Sequence, residues 1–352
     1  MSVATVVEAI CGAALAVSWQ ATILAVIVVS LLIVFSRWLS PGWRFGLWAL
    51  VLARLTLMGA PESAFSLFNY TGVKFPAELP EGFTNLAYFD NAAAGGVSAE
   101  EVQYLLIRII ASVWAAGALG MGFQWARSYI RVRRCLLRAD LVGDATILNA
   151  LADAENAMDI RPDIRLLQSP VVRSPMLFGC AQPCLVIPER MVSRLSAQEW
   201  RLVFLHEMAH LKRRDVVTNV WISILQIVHW FNPVLQWVFD QIRMEREVAT
   251  DALALKHARP GERRLYAQTI LKFVEDPCEG FTSFGRQTVA LIDRDEEIMW
   301  RFKWIAAYRR VPAWGILGAA LVLVLAFFGL TDPEFPKPVT PFSFECIRVL
   351  VR

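Results

Sequence analysis

Four stretches of the chain are apolar over lengths near those that cross a bilayer: residues 9 to 36, 42 to 60, 102 to 126 and 311 to 330. The first is almost wholly apolar and long enough to span with some tilt. Arg44 and Arg54 interrupt the second. Gly117 and Gly120 in the third, and Gly315 and Gly318 in the fourth, allow helices to approach closely. The pattern predicts four transmembrane helices, with 1–126 holding the first three, 311–330 the fourth, and a domain over 127–310 between them.

Charge then orients these spans. Arg37 and Arg44 flank the turn between spans one and two; Arg127, Arg131, Arg133, Arg134 and Arg138 follow span three; Arg301, Lys303, Arg309 and Arg310 precede span four. The 61–101 loop instead carries Glu62, Glu78, Glu81, Asp90, Glu100 and Glu101 against Lys74. Lys and Arg favour the cytoplasmic side. All three basic clusters lie inside only if the N-terminus, the 61–101 loop and the 331–352 tail lie outside. Residues 127–310 are then cytoplasmic. The first residues lack a basic region and include Glu8, so they are not read as a cleaved signal peptide.

Within that domain the periodicity changes. Leu148, Leu151 and Met158, set among acidic residues, predict an amphipathic helix within 140–160. Ile164–Leu167 and Cys184–Ile187, bounded by Pro175, Pro183 and Pro188, predict short strands. Ser196 followed by Glu199 is a capping box, and opens a further helix.

That helix carries His206-Glu207-Met208-Ala209-His210. Histidines four residues apart share one helical face, where two imidazoles can bind one zinc ion. Glu207 lies beside them, placed to take a proton from the water that the metal activates and pass it to a leaving amine. Two of the four histidines in the chain fall in this pattern. A catalytic zinc needs a third protein ligand and an open position. His229, His257, Glu245 and Glu247 are the candidates. Glu247 and Asp251 share a helical face, so Glu247 suits the ligand and Asp251 suits a hydrogen bond to a ligand imidazole. Glu245 points elsewhere and reads as an exposed charge; His257 reads as a surface group. Asp215 either orients the active-site helix or is a solvated charge.

Val216 to Asp240 is apolar and resembles a fifth span. A full crossing would separate His210 from Glu247 by the whole membrane. Phe231-Asn232-Pro233 breaks the helix, because proline has no N–H to donate and clashes with the preceding turn. The segment 216–240 therefore predicts a bent hairpin dipping into or lying on the membrane, with His229 as a hydrogen-bonding residue at its bend.

Composition agrees with a membrane protein: 352 residues, 56% hydrophobic and 19% charged, with a formal net charge of +3. Six cysteines show no disulfide spacing; Cys180 and Cys184 are loosely metal-like but read better as small apolar residues near a strand.

Taken together these residues resemble the M56 peptidases, the membrane metalloproteases related to the BlaR and MecR antibiotic sensor-transducers. The resemblance rests on Ser18-Trp19-Gln20-Ala21-Thr22, Arg44-Phe45-Gly46-Leu47-Trp48 through Arg54-Leu55, Ser174-Pro175-Met176-Leu177-Phe178-Gly179 through Pro188, His206 to Asp215, His229 to Pro233, and Glu245 to Asp251. It implies a mostly α integral membrane protein with a gluzincin-type helical metalloprotease domain carrying a small β-sheet. It assigns one zinc per chain to His206, His210 and Glu247, and the general base to Glu207. It also implies that the stretch containing Ser174, Pro175 and Gly179 is the edge strand that holds an extended substrate by β-addition. Thr250 stands where the family often has Cys. Sensor members carry a penicillin-binding domain after the last span, whereas 331–352 is short, so a signal is expected through the 61–101 loop, the tail or a partner.

The expected activity is a zinc endopeptidase that cleaves a cytoplasmic regulatory protein such as a transcriptional repressor, without contacting nucleic acid itself. Homodimers are compatible with this reading. Self-cleavage, which the resemblance suggests, would fall in Asp276–Glu297, a segment that reads slightly better as a plain linker. The alternative is a non-proteolytic transducer or scaffold with a vestigial site; the intact His206, Glu207, His210, Glu247 and Asp251 set argues against it.

Overall fold

A computed structural model describes residues 3–35, 38–57, 62–63, 66–70, 99–160, 164–179, 182–274, 294–307 and 315–333. These form a mostly helical molecule with one small mixed sheet and one two-residue strand pair. In chain order they are α1 (Val3–Phe35), α2 (Pro41–Thr56), β1 (Glu62–Ser63), α3 (Ala99–Leu136), β2 (Asp140–Leu141), α4 (Ala145–Met158), β3 (Arg165–Ser169), β4 (Met176–Phe178), β5 (Cys184–Pro188), α5 (Ala197–Lys212), α6 (Asp215–Val228), α7 (Pro233–His257), α8 (Arg263–Val274), α9 (Arg294–Ala307), α10 (Gly315–Gly329) and β6 (Asp332–Pro333).

The helix boundaries follow local chemistry. Pro41 and Pro233 open α2 and α7 at a position where an N–H is not needed. The Asn232 side chain accepts hydrogen bonds from the Val234 and Leu235 amides at 3.0 and 3.2 Å. The chain thus leaves α6 at Val228 and restarts as α7 four residues after His229, with the two helices folded back on each other. Ser196 and Glu199 cap α5 reciprocally: Ser196 N–H donates to Glu199 at 2.9 Å, and Glu199 N–H to the Ser196 hydroxyl at 3.4 Å.

The four-stranded sheet has the order β2-β3-β5-β4, with β3 and β5 parallel and the outer pairs antiparallel. All five residues of β5 are buried, as expected for a central strand covered on both faces. β4 is the terminal strand and packs beside α5. Ser174 and Pro175 lead into it and Gly179 leaves it with φ +94°. Only glycine fits there, because a Cβ would stand 2.6 Å from the Gln182 carbonyl oxygen.

Two apolar cores result. One joins α4, the sheet, α5 and α8 through Met158, Leu185, Ile187, Trp200, Phe204 and Tyr266. The other joins α1, α2, the α6–α7 hairpin and α10 through Leu24, Val28, Leu47, Val51, Leu55 and Phe239. Helix α7 belongs to both, with Val238 and Phe239 in the second and Ala254 and Leu255 in the first.

Among the described residues two helices, not four, are long and apolar enough to cross a membrane: Val6–Phe35 and Tyr104–Leu136. Helix α2 has 16 residues and α10 has 15. At 1.5 Å per residue they reach about 24 and 22 Å, short of the ~30 Å hydrocarbon core. Residues 58–60 and 311–314, needed for the longer spans expected from sequence, lie outside the described residues. Helix α3 also runs unbroken through Arg127, Arg131, Arg133 and Arg134. Most of the 61–101 loop, the 276–293 part of the segment considered for self-cleavage, and Cys180 lie outside the described residues.

The hairpin tip is tied to both long helices. His229 Nδ1 is 3.0 Å from the Ser18 hydroxyl, and Asn232 donates to Thr22 at 3.1 Å, both on α1. Trp114 of α3 donates to the Val228 carbonyl at 2.9 Å, and Trp230 donates back to the Trp114 carbonyl at 3.2 Å.

Candidate metal centre

Helix α5 presents His206 and His210 one turn apart, with ring centroids 4.7 Å apart and planes at 90°. Their Nε2 atoms converge to 3.1 Å, and each lies 3.7 Å from Glu247 Oε2 on α7. These three side chains form a group whose donor atoms all lie within 4.8 Å of one another. Tetrahedral zinc with bonds of ~2.0–2.1 Å separates its ligand atoms by about 3.3 Å, so the triangle matches that geometry. Two imidazole nitrogens aimed at each other across 3.1 Å cannot both carry protons without repulsion. A divalent cation resolves that conflict, and the donor set of two imidazoles and a carboxylate suits zinc.

Both Nδ1 atoms are occupied from behind. His206 Nδ1 lies 3.1 Å from Asp251 Oδ1 and 2.9 Å from the Tyr266 hydroxyl. His210 Nδ1 lies 2.8 Å from Asp215 Oδ2. Contacts of this kind fix the ring and leave Nε2 with its lone pair toward a metal. Arg214 adopts a left-handed conformation at φ 57°, which turns the chain so that Asp215, the first residue of α6, faces back to His210. Arg213 Nε at 3.3 Å and the Thr250 hydroxyl at 3.2 Å hold the same carboxylate.

Neighbouring charges override burial at this site. Burial opposes ionisation throughout, yet the Glu247 charge and hydrogen bonds to Asp215 and Glu247 raise His210 to about 10. Burial likewise opposes protonation of His206, but Asp251 and Glu247 raise it. Glu247 would be raised by burial and is instead held well below the usual carboxylate range by His210 and His206. Asp251 is lowered against burial by Arg301 and His206, and Tyr266 is raised by burial and by the Asp251 charge.

Glu207, next to His206, is 7% exposed and makes no hydrogen bond or ion pair with the described residues. Its negative charge acts on His210, where it adds to the pull of Glu247.

The other candidates from sequence fall elsewhere. His229 is fully buried at the hairpin tip. His257 engages the Leu253 carbonyl at 2.9 Å at the end of α7. Glu245 is 3% exposed rather than an exposed charge, because it turns away from Glu247 to pair with Arg44 of α2. Ser174, Pro175 and Gly179 flank β4 beside α5.

Two site residues escaped sequence reading. Tyr266 on α8 carries no motif, and only the folding of α8 onto α5 brings it to His206. Arg301 counts as a basic residue near a membrane helix by sequence, whereas here it grips Asp251 with Nε to Oδ2 at 2.8 Å and Nη2 to Oδ1 at 2.7 Å.

Comparison with known proteins extends this local picture to the whole chain. Residues 13–305 match the family model for the BlaR1 peptidase M56. The chain belongs to the M56 peptidase family. Among M56-related curated proteins, it is 28% identical over 185 residues to regulatory protein BlaR1 of Bacillus licheniformis, covering 53% of this chain and 29% of that protein. It is 21% identical over 281 residues to the methicillin resistance mecR1 proteins of Staphylococcus aureus strain Mu50 and Staphylococcus epidermidis, covering 76% of this chain and 46% of theirs. The chain thus spans less than half the length of these relatives.

Proposed function

We propose that this M56 chain is a membrane-embedded zinc endopeptidase acting in signal transduction. The observation that carries this reading is the convergence of His206 Nε2, His210 Nε2 and Glu247 Oε2, with a carboxylate behind each imidazole and Glu207 next to His206 in the same helix. In this reading His206, His210 and Glu247 hold one zinc ion. When bound, zinc supplies a Lewis acid that polarises a peptide carbonyl and makes water acidic enough to lose a proton near neutral pH. Glu207 accepts that proton and delivers it to the leaving amine. Asp251 and Asp215 keep the ligand rings in register, and β4, bracketed by Pro175 and Gly179, offers its edge to an extended peptide.

The site faces the cytoplasm, with the N-terminus outside. The basic C-terminal part of α3, with Arg127, Arg131, Arg133 and Arg134, supports this orientation. The substrate is a cytoplasmic regulatory protein, with a transcriptional repressor the favoured class given relatives named as regulatory and resistance proteins. Processing of the chain itself within Asp276–Glu297 is a second cleavage of the same kind.

Comparing the wild type with Glu207→Gln tests this. The wild type should bind one zinc and cleave peptides, while Glu207→Gln should keep the metal and lose cleavage by at least about a hundredfold. Proteomics of cells carrying each form should reveal the substrate as a protein shortened only by the wild type. A metal-free wild type, or full activity in Glu207→Gln, would overturn the proposal.

A further inference from the structure

Asp251 follows Glu247 by one turn of α7, and its carboxylate is the most heavily engaged group at the site. Oδ1 stands 3.1 Å from His206 Nδ1 and accepts from the Tyr266 hydroxyl at 2.6 Å. Arg301 closes on it from α9 through two parallel hydrogen bonds at 2.7 and 2.8 Å. The third guanidinium nitrogen, Nη1, lies 3.8 Å from Glu247 Oε2. One partly buried cation, its side chain 14% exposed, therefore reaches both a candidate ligand and the carboxylate behind another.

Helix α9 has a second anchor besides this contact. Trp300 and Trp304, on either side of Arg301, lie beneath the Arg44 guanidinium of α2, at 5.5 and 4.6 Å from their ring centroids. Arg301 is thus delivered to the site by a helix anchored elsewhere. A planar guanidinium bonded at both carboxylate oxygens fixes the plane of Asp251 as well as its distance. With that carboxylate held in place behind Nδ1, the His206 ring keeps Nε2 directed at His210 and Glu247.

We infer that Arg301 is a positioning residue for metal binding: it sets the Asp251 carboxylate that orients His206. This rests on the proposed metal site. A purely structural cross-link between α7 and α9 would change stability but leave the metal affinity of the folded protein alone.

The test measures zinc affinity by chelator competition in the purified, detergent-solubilised full chain. Arg301→Gln should weaken zinc binding about 10- to 100-fold, the range for groups that orient a metal-bound histidine. Arg301→Lys keeps the charge but loses the two-point grip, and should fall between Arg301→Gln and wild type. Lys303→Ala, an exposed change on the same helix, should match wild type. The visible spectrum of the cobalt-loaded Arg301→Gln protein should shift as well. Wild-type affinity within twofold in folded Arg301→Gln overturns the inference. If Arg301→Gln does not accumulate, wild-type affinity in Arg301→Lys overturns it equally. If the wild type itself binds no zinc, the proposed metal site fails and this inference falls with it.

Discussion

Arg44 and Glu245 form a buried ion pair between helices α2 and α7, although they stand 201 residues apart in the chain. Both side chains are only 5% exposed. Glu245 lies two residues before Glu247, and Arg44 also covers Trp304, one turn from Arg301. A residue from the helical bundle thus braces α7 and α9, two of the helices that feed the metal centre.

Breaking this pair strands a charge in the interior. Glu245→Ala should destabilise the protein by about 3–5 kcal/mol, because Arg44 would remain buried without its partner. Replacing both, as Arg44→Met with Glu245→Met, should recover much of that loss. Thermal unfolding in detergent reads this out; a double variant no better than Glu245→Ala would contradict it.

The pH response of the metal-free site has a definite sign. His210 is raised in the folded protein to about 10 from 6.5. A raised basic group stabilises fully below its unfolded value and loses that contribution as pH climbs through the folded one. Chelator-treated protein should therefore lose stability from pH 6.5 upward to about 10, while its zinc affinity climbs over the same window, by up to about tenfold per pH unit as the competing proton leaves. A zinc titration giving equal affinity at pH 6.5 and about pH 8 would refute the arrangement.

Loss of the group behind His210 should be felt at the metal before it is felt in the fold. Asp215→Asn keeps the shape and the contact with Thr250 but removes the charge facing His210. Zinc affinity should drop about 10- to 100-fold, with melting of the metal-free protein shifting only modestly. Metal content after dialysis against graded chelator measures it.

Gly117 allows α3 to meet the hairpin tip, since an added Cβ would collide with the Trp230 indole. Gly117→Leu should cost about 1–3 kcal/mol through overpacking, and Trp230→Ala in the same chain should relieve part of it. Parallel unfolding curves of the two single variants and the double variant decide the point; simple additivity would mean that the two residues do not meet.

The sequence by itself determined the chemistry that local spacing controls. His206 and His210 share a face because a helix repeats every 3.6 residues, and the Ser196–Glu199 box shows where that helix starts. Pro233 had to break the apolar run because it cannot donate a backbone hydrogen bond, and that break is what returns Glu247 to the histidines. Length and hydropathy marked α1 and α3, whereas α2 and α10, at 16 and 15 residues, are shorter than the apolar runs that hold them: an apolar run does not say where its helix starts and stops. Tertiary structure alone decided the partners. Glu245 looked like a surface charge until α2 supplied Arg44, Arg301 looked like a topology signal until α9 carried it to Asp251, and Tyr266 had no signal at all. Those contacts join residues tens to hundreds of positions apart, and their identity depends on which helices pack together, a property that no local repeat encodes.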